Sequence, residues 1–148
     1  MKNKYFLATA ALAFLLPFMA AAEQSQKFGD YTIHYIAFTT DQLTPEVAKY
    51  YQIPRSKNRV LVNISVLKKT SDKVLGTPVR AKVVGEAKNL SEQLREVKLR
   101  EIVEENAIYY IGDTQINNEE TLRYTFQITP EGEAKPYQLS FQEQFYTN

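Results

Sequence analysis

Cysteine is absent from this 148-residue chain, histidine occurs once, and glycine only five times. Each shortage closes a route to chemistry. Without cysteine there is no thiol nucleophile, no disulfide and no residue to carry a lipid. With His34 as the single imidazole, a Ser-His-acid relay has one candidate base, and no serine stands in a Gly-flanked nucleophile elbow. A metal site built on His34 would have to draw its other donors from carboxylates, so the residue is read as a strand histidine with local hydrogen bonds. The glycines form neither a phosphate-cradling loop nor a dinucleotide fingerprint. No catalytic residue, no metal and no cofactor is therefore expected.

Charge is also lacking where a nucleic-acid or lipid-surface binder needs it. The first 22 residues read as a secretory leader: Lys2 and Lys4, an apolar run from Tyr5 to Met19, then Ala20-Ala21-Ala22. The run is shorter than the roughly 20 residues of a bilayer span, and Pro17 interrupts it. Cleavage is expected after Ala22, with no stable membrane insertion afterwards. Taking Lys2 and Lys4 from the 18 basic residues leaves 16 against 17 acidic ones, a formal charge of −1 for residues 23–148. That balance provides no basic stripe for nucleic acid and no polybasic patch for anionic lipid. An exported chain without cysteine fits a periplasm, and residues 23–148 have the size of one domain able to bury a core.

What is present is alternation. Arg59 to Leu67 is apolar on both faces, with Val60, Val62, Ile64 and Val66 forming a β-branched row on one side and Leu61 and Leu67 flanking Asn63 and Ser65 on the other. Period two makes this a central strand with one face in a core and the other partly covered. Phe28 to Thr39 predicts a strand before it. Thr44-Pro45-Glu46 predicts a short helix near 45–51, with Thr44 as cap, proline at its first position and an acid in its first turn. Val79 to Val83 alternates, and Val84-Gly85 suggests a bulge. Residues 94–104 fit neither period well. They are read as a bulged strand, with a helix capped by Ser91 as the alternative. Strands follow at Asn106–Gly112, Thr121–Thr129 and from Tyr137 to Phe145 or Tyr146, the last with a register break near Glu143.

Seven strands with one short helix and no βαβ unit predict an all-β fold. An antiparallel two-sheet sandwich of immunoglobulin or fibronectin type comes first, and a small closed barrel second. The function class this favours is a non-catalytic binding or protein-interaction module. With Tyr5, Phe6, Phe14 and Phe18 in the leader, nine tyrosines and five phenylalanines remain, and tyrosine is a frequent recognition residue. Tyr109 and Tyr110 are neighbours in a strand and must face opposite ways, so only one is core. The outward member and Arg55 are the candidate contacts for a periplasmic protein or a small ligand. Two rivals remain: a carboxylate-dependent hydrolase using Glu101 with a distant acid or His34, and a strand-pairing assembly chaperone, which needs an unpaired apolar edge.

Several runs also carry a resemblance: Tyr31-Thr32-Ile33-His34-Tyr35, Pro45-Glu46-Val47-Ala48, Arg55-Ser56-Lys57, Arg100-Glu101-Ile102 and Ala107-Ile108-Tyr109-Tyr110-Ile111-Gly112. With them, residues 28 to 146 resemble a family of bacterial periplasmic proteins, domain of unknown function 4426. The resemblance implies export and a single domain. It brings no activity to carry over.

Overall fold

A computed structural model describes residues 24–148. The expected leader and its cleavage after Ala22 lie outside the described residues. In chain order the elements are β1 (Gln24–Phe28), β2 (Tyr31–Thr39), a 3-10 turn (Thr40–Gln42), α1 (Pro45–Tyr50), β3 (Arg59–Lys68), β4 (Thr77–Pro78), β5 (Ala81–Asn89), β6 (Leu94–Val97), β7 (Arg100–Glu104), β8 (Ala107–Gln115), β9 (Glu120–Pro130) and β10 (Tyr137–Phe145). They form two antiparallel sheets. The first has the order β1-β2-β3-β8-β7 with β4 also paired to β3, and the second the order β10-β9-β5-β6. The fold is an all-β sandwich of two open sheets.

The core is made by facing rows. Val60, Val62, Ile64 and Val66 of β3 are fully buried, as are Leu122, Phe126 and Ile128 of β9, with Tyr124 at 1% exposure. All belong to one apolar cluster between the sheets. The other face of β3 carries Leu61 under α1, in a second cluster with Phe38, Leu43, Ala48, Tyr51, Ile53 and Ile111. The cap of α1 follows from its residues: Thr44 Oγ1 accepts from Val47 N–H at 3.3 Å, and proline follows at the first turn.

Ten strands are observed among the described residues where turn spacing suggests seven. β1 is polar and mostly exposed, with only Phe28 packed against the core, so no alternation announces it. The stretch 94–104 is strand rather than helix, yet its break is not a bulge. β6 pairs with β5 in one sheet and β7 pairs with β8 in the other, so the chain changes sheets at Lys98-Leu99. Gly112 makes room for that crossing, because a Cβ there would sit 2.5 Å from Lys98 O.

Two expected irregularities are absent. β5 pairs with β9 in unbroken register from Ala81 to Asn89, with no bulge at Gly85. Gly85 stands opposite Phe126, and a Cβ on it would come within 2.0 Å of the ring. The position faces inward like Val83 and Ala87, left empty so that the ring can lie over the backbone. β10 likewise pairs with β9 without interruption from Tyr137 to Phe145. Glu143 simply occupies an inward position in the row Tyr137, Leu139, Phe141, Phe145.

Candidate functional site

The neighbour of β3 changes halfway along its length. Residues 59–64 pair with β8, whereas Leu67 and Lys68 pair with β4, and Val79 N–H donates to Val66 O at 3.0 Å. β4 thereby takes the place that the lower end of β8 would fill. A groove of about 390 Å³ lies at the split, its lining including His34, Ser65, Leu75, Pro78, Asn106 and Tyr109. His34 and Ser65 are directly opposite one another on β2 and β3. None of the lining side chains is a carboxylate, lysine or arginine. Leu75, 79% exposed in the loop before β4, forms the rim. Chemically this is an apolar recess with an imidazole, a phenol, a hydroxyl and an amide at its wall, in the usual size range of small-ligand sites.

The adjacent tyrosines separate as strand geometry requires. Tyr109 is half-buried and lines the groove. Tyr110 is in the core at 5% exposure, and its hydroxyl donates to Glu101 Oε2 at 2.9 Å while accepting from Ala81 N–H at 2.7 Å. Burial, reinforced by Glu101 and opposed by the Ala81 amide, pushes the Tyr110 hydroxyl up to about 12. Arg80 Nε lies 3.6 Å from the other Glu101 oxygen. This chain of contacts ties β7 and β8 to the start of β5, just where the backbone leaves β4 for the second sheet. Tyr110 thus belongs to the core between the sheets and is not among the groove residues.

Arg55 is exposed, yet its guanidinium is committed to main chain. Nε donates to Leu43 O at 2.7 Å and a terminal nitrogen to Asp41 O at 2.9 Å. It pins the segment around the 3-10 turn and is not among the groove residues. Beside it, buried Thr40 serves the same loop, donating to Pro54 O and accepting from Ser56 N–H at 2.9 Å. On the far side of α1, Tyr51 donates to Glu104, and Arg100 donates to Tyr51 O. Burial first, then Glu104, raises the Tyr51 hydroxyl above its ordinary value.

His34 and Glu101 do not converge. Glu101 is registered with core-facing Tyr110, whereas His34 pairs with Ser65 on the opposite face of the same sheet. Among residues that sequence reasoning passed over, Ser65 and Asn106 carry polar groups of the groove. The signal was there for the first: Asn63 and Ser65 are polar interruptions on the outer face of an otherwise apolar central strand.

The family model described as domain of unknown function (DUF4426) matches residues 25–148. A solved DUF4426 family protein from Pseudomonas aeruginosa PAO1 is 33% identical with a TM-score of 0.73, covering 85% of this chain and 96% of that one. FetP of uropathogenic E. coli strain F11, recombinantly expressed in the periplasm of E. coli BL21(DE3), is 11% identical with a TM-score of 0.59 over 86% and 96% of the two chains. A copper-bound variant of Campylobacter jejuni P19 is 11% identical with a TM-score of 0.53 over 84% and 96%. The last two share the fold alone. No curated protein matches the chain.

Proposed function

The chain belongs to the DUF4426 family, and from that premise we propose that it is an exported, periplasmic, non-catalytic binding module that holds a small uncharged ligand in the groove beside Tyr109. The observation that carries this reading is the split on β3, which opens a mostly apolar recess of about 390 Å³ free of carboxylates and cations. Such a lining favours an apolar or aromatic body with one or two hydrogen-bonding groups, met by His34, Ser65 or Asn106. Tyr109 is the contact residue. Export rests on the leader pattern of residues 1–22.

Copper, bound by the P19 variant, does not suit this chain. His34 is the only histidine, cysteine is absent, and both methionines, Met1 and Met19, precede the described residues. No group of three or more His, Cys, Asp or Glu that could hold a metal occurs among the described residues. One imidazole is present, but the set of several nitrogen and sulfur donors that copper prefers is not. A hydrolase built on His34 with Glu101 is disfavoured by their placement on opposite faces of one sheet.

Protein-observed 1H–15N NMR of residues 23–148 titrated with uncharged aromatic and aliphatic fragments tests the reading. Binding should perturb the amides of Ser65, Asn106 and Tyr109 and vanish in Leu75→Asp, a substitution at an exposed rim position that leaves the melting temperature unchanged. Fragments that ignore those amides at millimolar concentration, or bind Leu75→Asp equally well, would overturn it. Amino-terminal sequencing of the protein recovered from a periplasmic fraction should begin at Glu23; recovery from cytosol with Met1 intact would refute export.

A further inference from the structure

Among the described residues five strands have a neighbour on one side only, and four of them are blunted. β4 has two residues, one of them Pro78. β6 has four residues, including Arg95 and Glu96. β7 has five, with Arg100, Glu101 and Glu104, and β1 has five, with Lys27. Short charged edges resist pairing with other chains. β10 differs. It runs nine residues, pairs with β9 without a bulge, and contains no proline, lysine or arginine. Its outward side chains are Gln138, Ser140, Gln142 and Gln144, and among the described residues its second edge has no strand beside it.

The inner face of that edge carries an unmatched charge. Glu143 is half-buried, and among the described residues its carboxylate has neither a hydrogen bond nor an ion pair. Burial holds its carboxyl above the ordinary value. One step along the same face of the ladder is Tyr124, 1% exposed, whose hydroxyl is buried without a hydrogen-bond partner. The other nearby acid, Glu120, is already matched by Arg95 at 2.8 Å. Apolar surface flanks the spot: Phe141 and Tyr35, both half-exposed, stack at 4.5 Å where the two sheets meet.

We propose that β10 is a docking edge at which an extended segment of another protein adds as a fifth strand of the second sheet, with one lysine or arginine of that segment reaching Glu143. Backbone pairing supplies the affinity. The alternating side chains of the added strand supply the selection: apolar groups over Phe141 and Tyr35, a cation at the carboxylate. A cation there removes the charge imbalance. Pairing of β10 with the β10 of a second copy does not meet the requirement, because β10 brings no base and would add a second Glu143 to the same edge. The edge is separate from the groove, so neither reading depends on the other.

The test uses residues 23–148 and a nine-residue peptide of alternating valine and threonine with one central valine changed to lysine, compared with the same peptide carrying norleucine there. The lysine peptide should bind, protect the β10 amides from hydrogen exchange and leave the groove amides unshifted. Glu143→Gln should weaken that binding by at least about tenfold, as expected for a lost charge-assisted hydrogen bond, without lowering the melting temperature or changing norleucine-peptide binding. Equal affinity for the two peptides, no binding of either, or protection of β10 that grows with protein concentration in the absence of peptide would each overturn the proposal. The last would mean that β10 pairs with itself.

Discussion

Replacing Gly85 with alanine adds one methyl group at a place where the fold has no room for it. The new carbon would stand 2.0 Å from Phe126 Cδ1, 2.4 Å from Cε1 and 2.8 Å from Cγ. Ordinary contact begins at 3.4 Å, so the ring or the strand must give by 1.4 Å. Phe126 has no exposed surface and packs with Tyr124 and Phe141, which leaves the ring nowhere to retreat without moving its neighbours. Overpacking of this kind costs about 1–3 kcal/mol. Alanine recovers about 0.5–1 kcal/mol of that by restricting the unfolded backbone. The depth of the overlap with a fully buried ring puts the overpacking cost at the upper end of its range, about 2–3 kcal/mol. The net expectation is a loss of about 1–2.5 kcal/mol, read in urea unfolding as a midpoint lowered by roughly 1 M with an unchanged slope. Phe126→Leu in the alanine background should relieve the clash, so the double mutant should be more stable than the two single losses added together, by about 1 kcal/mol. Gly85→Ala at parental stability, or strictly additive losses, would refute the contact argument and revive a bulge at this position.

Tyr110→Phe strands the Ala81 amide at the crossing between sheets and should cost about 1–3 kcal/mol in the same assay; a neutral result would mean that water replaces the hydroxyl. Thr40→Val removes the acceptor of Ser56 N–H from a fully buried site and should cost about 1–3 kcal/mol, while leaving fragment binding in the groove intact. Two carboxylates should shape the acid limb in opposite senses. For Glu120, burial acts upward but is outweighed by the Asn117 amide, Arg95 and Asn89, which hold its carboxyl below the ordinary 4.5. Its stabilisation is thus present above that pH and lost as pH falls through the folded value, and Glu120→Gln should lower stability at neutral pH and flatten the acid loss. Burial raises the Glu143 carboxyl, so its contribution favours the fold only at acid pH and is lost as pH rises through the folded value; Glu143→Gln should raise the melting temperature at pH 7. The same sign for both variants at neutral pH would contradict the burial argument.

Particular residues show how far local pattern reaches. The row Val60, Val62, Ile64, Val66 and the row Leu122, Tyr124, Phe126, Ile128 announce their buried faces by alternation, and both are core. Thr44-Pro45 announces the helix start, because capping chemistry is confined to a few neighbouring residues. β1 stayed hidden because four of its five residues are exposed and polar, which leaves no alternation to read. Gly85 and Glu143 misled for a related reason: each keeps the alternation while departing from its apolar pattern, one to seat a ring from another strand, the other at an open edge. Of the groove, Tyr109 was legible as one of an opposed pair. Its meeting with His34, Ser65, Leu75 and Asn106 was not, since Tyr109 lies 44 residues along the chain from Ser65.

What the amino-acid order alone determined is the facing of side chains, the single helical turn, and the absence of thiols and of multiple imidazoles, because these depend on residue type and on spacing within one element. Which sheet each strand joins was decided only by the folded whole. The passage of Lys98-Leu99 over Gly112, the hand-over on β3 from β8 to β4, and the exposure of β10 as the long free edge all join segments distant in the chain. Period two records which way a side chain points but not which strand lies beside it, and it is the neighbours that make a groove or leave an edge open.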